Sequence, residues 1–117
     1  MTEPKKYDLE ERTFRFAKEV ISFVNVLSKS LSNVKIIKQV LRSSGSVGAN
    51  YIEANEALGK KDFKMRSKIC RKEAKESVYW LKLVEVNDEE KENTRQQLID
   101  EATQLTKIFS SILQKSK

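Results

Sequence analysis

The residues best able to do chemistry here are cationic, and one segment holds the surplus. Between Lys60 and Lys82 lie nine lysines and arginines against three acidic residues. That surplus equals the +6 formal net charge of the whole 117-residue chain, so the remainder is charge-balanced. Wound as a helix, Lys60, Lys61, Lys64, Lys68, Arg71, Lys72, Lys75 and Lys82 fall within about one third of the circumference, and only Arg66 lies elsewhere. Such a stripe neutralises phosphates without reading bases, which is the electrostatic footprint of a nucleic-acid binder. On a solvated face the same charge would serve only solubility.

The carboxylates offer a second chemistry. Glu53 and Glu56, facing Glu73 and Glu76, would form two Glu-x-x-Glu pairs of the kind that hold a hard cation. No further acidic group stands in either helix core, and arginines lie close by. Ion pairs are therefore preferred, with Arg42 and Arg66 as partners for Glu73, and no metal or cofactor is expected. The chain has no histidine, which removes the commonest general base, the Ser-His-Asp and Cys-His nucleophile systems and the Glu-x-x-His ligand pairs of di-iron bundles. Cys70 shares a face with Ala74 and Leu81 and reads as a buried structural thiol.

The stretch "RSSGSVGANYIEANEA", from Arg42 to Ala57, holds Gly45 and Gly48, two of the three glycines. It lacks the G-x-x-x-x-G-K-[ST] of a phosphate loop and the G-x-G-x-x-G of a dinucleotide site. G-x-x-G also matches the clamp of KH domains, but that fold needs a sheet. The preferred reading is a thin stretch of helix. Ser44, Gly45, Gly48 and Ala49 form a flat patch, to be filled by Trp80, Tyr79 or Phe63 of the next helix or by a neighbouring subunit. Arg42, Asn50 and Glu53 supply polar ties to that helix.

Four apolar stripes at 3–4 spacing position these residues, and no strand-like alternation competes with them. The helices are expected at about 9–31, 34–58, 61–85 and 88–115. Asp8 with Glu11, and Asn87 with Glu90, are candidate capping pairs, and Gly59 is a left-handed stop for the second helix. Short connections predict an all-α, antiparallel up-down-up-down four-helix bundle, one domain over 1–117. In the third helix, Phe63, Ser67, Cys70, Ala74, Ser77, Leu81 and Val84 form the core face. Met65, Ile69, Glu73, Glu76, Trp80 and Leu83 form a further, half-apolar face suited to another chain. No segment approaches a membrane span and no apolar leader opens the chain, so a cytoplasmic protein is expected.

"QVLRSSGSVGANYIEANEA" followed by "KKDFKMRSKICRKEAKESVYWLKL", with "YDLEERTFRFAKEV" near the N-terminus, resembles the bacterial four helix bundle protein family. That family is associated with intervening sequences of 23S rRNA genes. The most specific residues are Arg42 to Ala54, Asp62-Phe63, Lys72-Glu73 with Glu76, and Tyr79-Trp80-Leu81. Gly59 departs from the pattern, where a serine capping the third helix would stand. The resemblance implies a homopentamer of antiparallel bundles with no established enzymatic activity. It also implies, through a related accessory factor of a reverse transcriptase, association with nucleic acid.

The expected function is a non-enzymatic homo-oligomeric bundle that binds RNA or a ribonucleoprotein through Lys61, Lys64, Lys68, Arg71, Lys75 and Lys82. The alternative is a protein-interaction or assembly scaffold that does not touch nucleic acid.

Overall fold

A computed structural model describes residues 6–116. Residues 1–5 and 117, within the single domain expected over 1–117, lie outside the described residues. Four helices follow in order: α1 (Lys6–Asn25), α2 (Leu31–Asn55), α3 (Lys60–Leu83) and α4 (Glu89–Lys115). Each packs on its sequence neighbours, and α1 closes the ring against α4. The result is an all-α, up-down-up-down four-helix bundle. Its 45 Å long axis is close to the ~40 Å that α4 spans at 1.5 Å per residue. Among the described residues no helix is long and apolar enough to cross a membrane.

The stripes read from the sequence meet in the core. Phe16, Val20 and Val24 of α1 are buried with Val40, Val47 and Tyr51 of α2, Cys70, Ala74 and Leu81 of α3, and Ala102, Leu105 and Phe109 of α4. Tyr51 and Phe109 meet edge to face, with ring centroids 5.6 Å apart. That geometry places ring edge against ring face, as the aromatic quadrupole prefers.

The helix ends differ from the expected ones for local reasons. α1 stops at Asn25, not Leu31, and Leu31 instead opens α2 with 80% of its surface exposed. Ser30 is extended, and its hydroxyl accepts the Asn33 backbone N–H at 3.3 Å, which starts a new helix. α2 ends at Asn55, leaving Leu58 fully exposed outside the stripe. Gly59 does not stop α2 in a left-handed turn; it is the N-cap of α3, with an extended φ of −160° and no side-chain cap. α4 is capped by Asp88, one residue after the expected Asn87, with its carboxylate accepting the Lys91 N–H at 2.8 Å. Asp8 lies inside the first turn of α1 and is not its cap.

Asn33 is a feature of this fold that periodicity does not reveal. Its side chain is fully buried. Nδ2 donates to the carbonyls of Ser28 (3.0 Å) and Glu85 (3.1 Å), and Oδ1 accepts the Glu85 N–H (2.8 Å). One amide thus fastens the α1–α2 connection to the α3–α4 connection, giving partners to backbone groups that lie outside the helices.

The glycine-bearing stretch is helical as far as Asn55, through both Gly45 and Gly48, and its small residues serve a different neighbour from the one expected. A Cβ on Gly48 would lie 3.1 Å from Thr13 Oγ1. The large residues of α3 therefore do not fill this space; the buried Thr13 of α1 does, its hydroxyl donating to the Leu9 carbonyl at 2.9 Å. A Cβ on Gly45 would meet nothing within 4 Å. Ser44 is buried but bonds only within its own helix, to the Leu41 carbonyl. Gly45→Ala is expected to stabilise the fold by about 0.8 kcal/mol through helix propensity. Gly48→Leu is expected to destabilise it by ~1–3 kcal/mol through overpacking against Thr13. Urea denaturation of the two variants checks the contrast.

Candidate nucleic-acid interface

α3 turns Ser67, Cys70, Ala74, Ser77 and Leu81 into the core, which fixes where its charges go. The basic stripe runs along the groove between α3 and α4. At one end Lys64, Lys68 and Arg71 face Ser110 and Gln114 across a recess of about 370 Å³. Further along, Lys75 and Lys82 face Thr103 and Lys107 across a recess of about 450 Å³. This pairing is antiparallel, with early α3 against late α4. Lys61, beyond the first recess, is exposed near the start of α3. The groove thus brings together five of the six predicted contacts and adds Lys107.

Two observations sharpen the electrostatics. Lys61, Lys64, Lys68, Arg71, Lys75 and Lys82 form no ion pair with a carboxylate among the described residues. From Ala102 onward α4 has no acidic residue at all. The wall opposite the lysines holds Thr103, Thr106, Lys107, Ser110, Leu113 and Gln114 and no carboxylate, and the two threonine hydroxyls are turned back onto the Ile99 and Ala102 carbonyls of their own helix. Sequence reading missed this wall because projecting one helix does not say which helix lies beside it. The detectable signal was the spacing of Thr103, Lys107, Ser110 and Gln114 on one side of an acid-free segment.

The arginines do different work. Arg12 donates to both carboxylate oxygens of Glu101, at 2.7 and 2.9 Å, joining α1 to α4. Arg95 donates to the Val84 carbonyl at 2.7 Å and pairs with Glu92. Arg66 donates to Asn50 Oδ1 at 3.0 Å, so it is not the partner of Glu73. Arg42 takes that place, reaching the buried Glu73 at 3.0 Å and pairing also with Glu76. Glu76 in turn accepts the Trp80 indole N–H at 3.1 Å. That hydrogen bond, together with the Arg42 cation, holds the Glu76 carboxyl below the usual carboxylate range. Arg42 and Asn50 are thus ties between α2 and α3, as expected. Glu53 is not: it is exposed, and among the described residues the side-chain ties between α2 and α3 run through other residues.

The four glutamates do not assemble into a cation site. Glu53 and Glu56 face solvent while Glu73 and Glu76 are engaged by Arg42, and no cluster of three potential ligands occurs among the described residues. Cys70 is fully buried and its thiol donates to the Val47 carbonyl at 3.4 Å. Burial pushes its pKa up to about 12, far from the thiolate a nucleophile needs.

Arg42→Ala should cost about 2 kcal/mol of stability, because the Glu73 carboxylate is left buried without a cation. Adding Glu73→Gln should recover part of the loss, since a neutral amide does not need that partner. Denaturant titration of the single and double variants measures the coupling.

The comparisons with known proteins agree with this architecture. Among curated proteins none matches the chain. The chain is similar to a crystal structure from Bacteroides thetaiotaomicron, described as a protein of unknown function from the S23 ribosomal protein family. Identity is 28% and the TM-score 0.80, with 93% of this chain and 97% of that one covered. A model of the 23S rRNA-intervening sequence protein family matches residues 5–111. On that span, and with the helical order the family shares, the chain belongs to the 23S rRNA-intervening sequence protein family.

Proposed function

We propose that this chain is a non-enzymatic, homo-oligomeric bundle that binds RNA, free or in a ribonucleoprotein, through the cationic α3–α4 groove. The observation that carries the proposal is the set of unpaired cations lining a groove whose opposite wall is free of carboxylates. The cations engaged in ties between helices are arginines (Arg12, Arg42 and Arg66), whereas those lining the groove are mostly lysines. Phosphates are the ligand such a surface neutralises best. The family name places its members' coding sequences in an rRNA context, which supports RNA over other polyanions by analogy.

Self-association is supported by the apolar surface left open. Phe14 and Ile21 share one side of α1; Leu41, Gly45 and Ile52 share one side of α2. Met65 and Leu83 are exposed on α3. Distinct apolar patches on different helices suit head-to-tail rings, in which each copy uses two different surfaces. Five copies is the number the family resemblance implies.

The test is RNA affinity across a salt series, on the oligomer as purified, with its mass measured by light scattering. Glutamate at Lys64, Arg71 and Lys75 should weaken binding and flatten the salt dependence. Unchanged affinity and slope would remove the stripe as the site. A scaffold meeting an acidic protein is the second reading, favoured by the same exposed apolar residues. It predicts partner capture that survives nuclease treatment.

A further inference from the structure

The proposed RNA groove has one feature that phosphate neutralisation does not use. The recess of about 450 Å³ between Lys75, Lys82 and Lys107 is walled by Val78 and by the ring of Tyr79, which is 58% exposed. A volume of this size lies within the range of small-molecule pockets. Phe14 is the other strongly exposed aromatic among the described residues, but it stands on α1 with Lys18 Nζ 5.9 Å from its ring centroid. Tyr79 is thus the aromatic ring the groove offers to a ligand.

Its orientation is fixed from behind. Tyr79 packs edge on against Trp80, with ring centroids 5.0 Å apart and planes at 73°. The Trp80 indole is held by Glu76 at 3.1 Å, and Glu76 is held by Arg42 of α2. A chain of contacts from α2 therefore braces a ring that would otherwise swing freely on a helix surface. Lys75 precedes Tyr79 by four residues and Lys82 follows it by three, so both flank the ring on the same side of the helix. Two to three turns away, about 12 to 17 Å at 1.5 Å per residue, Arg71 and Lys68 line the other recess with Ser110 and Gln114.

We infer that the α3–α4 groove takes single-stranded RNA, with phosphates on the lysines and one unstacked base laid against Tyr79. This inference rests on the proposed function and narrows it. The charge complementarity of the rim selects a polyanion. An exposed, braced aromatic within that rim selects a ligand whose base faces are free, because a base stacks on an aromatic ring whatever its identity. An A-form duplex keeps its base faces within the stack and offers mainly backbone and 2′-hydroxyl contacts. Lysines alone would serve a duplex equally well; Tyr79 adds nothing for it.

The experiment compares wild type, Tyr79→Ala, Tyr79→Phe and the Lys64/Arg71/Lys75 glutamate variant. Each is titrated against a short single-stranded RNA and its duplex by fluorescence anisotropy at several salt concentrations. Tyr79→Ala should weaken single-strand binding about 5- to 150-fold, the span of one stacked base. It should leave the salt slope unchanged, since no phosphate contact is lost, and leave duplex binding unchanged. Tyr79→Phe should bind like wild type. Unaltered single-strand affinity in Tyr79→Ala, or an equal loss on the duplex, overturns the inference while leaving the proposed function standing. Absence of RNA binding by wild type, or indifference to the charge variant, overturns the proposed function and the inference with it. Matching thermal unfolding of Tyr79→Ala and wild type keeps the comparison one of binding.

Discussion

Asn33→Asp is expected to destabilise the bundle by about 3–5 kcal/mol at neutral pH, the range for an uncompensated buried charge. The wild-type amide donates to the Ser28 and Glu85 carbonyls from one side and accepts the Glu85 N–H on the other. A carboxylate keeps the acceptor but turns the donor into a second negative oxygen, about 3 Å from both carbonyls. The residue is fully buried, so water cannot relieve the repulsion. Asn33→Ala removes the bonds without adding charge and should cost less, about 2–3 kcal/mol. The two variants separate further with pH. Burial raises the folded-state pKa of the new carboxyl above its unfolded value near 3.9. The folded variant then binds the extra proton more readily, so its stability falls as pH rises. The gap in stability between Asn33→Asp and Asn33→Ala should narrow between pH 7 and pH 4. Urea midpoints across that range measure it; a gap that stays constant would mean the carbonyls do not confront the carboxylate.

Glutamate at Lys64, Arg71 and Lys75 should lower RNA affinity by about a hundredfold at 0.1 M salt. Each phosphate contact on a single strand contributes about 0.7 to the slope of log affinity against log salt. Three lost contacts therefore flatten the slope by about 2 and remove about two decades of affinity at 0.1 M. Repulsion from the new carboxylates adds to the loss. Net charge alone must be excluded, and the control is glutamate at Lys18, Lys35 and Lys38, which are exposed on α1 and α2. That variant carries the same change in net charge away from the groove. It should retain most of the affinity and nearly all of the slope. Equal losses in both variants would mean that the fold is merely a cation and the groove is not a site.

Much of this arrangement was legible in the sequence, and the failures are instructive. Periodicity located four helices because Phe16, Val20 and Val24, or Leu105 and Phe109, recur with the helical repeat and have nowhere else to go. It overran the end of α1 because Leu27 is buried beyond the helix and Leu31 continues the same spacing without being buried. Apolar spacing cannot see the extended backbone of Ser30 that breaks the run. The cationic stripe was legible because it belongs to one helix. The opposing wall was not, since Thr103, Lys107 and Ser110 matter only once α4 lies beside α3. That Glu73 needs an arginine followed from the cost of burying a carboxylate alone, but the choice of Arg42 over Arg66 did not, since both lie within reach in sequence. The neighbour of Gly48 did not follow, because a small residue records that something approaches without recording what. Asn33 gave no signal, as a polar residue in a polar break looks like any loop residue.

The clamp at Asn33 also has a consequence for the order in which the chain folds. Its bonds join residues 52 positions apart in the sequence, and they require both the α1–α2 and the α3–α4 connections to be in place. Neighbouring helices can zip together through local contacts, whereas this closure must await two finished hairpins. Asn33 should therefore have a φ-value near zero. Its alanine variant is expected to fold at nearly the wild-type rate and to unfold faster by most of the stability it loses. In stopped-flow chevrons the unfolding arm should move while the refolding arm stays. The amide would then act as a latch on the finished bundle, one that governs how long the assembled state lasts.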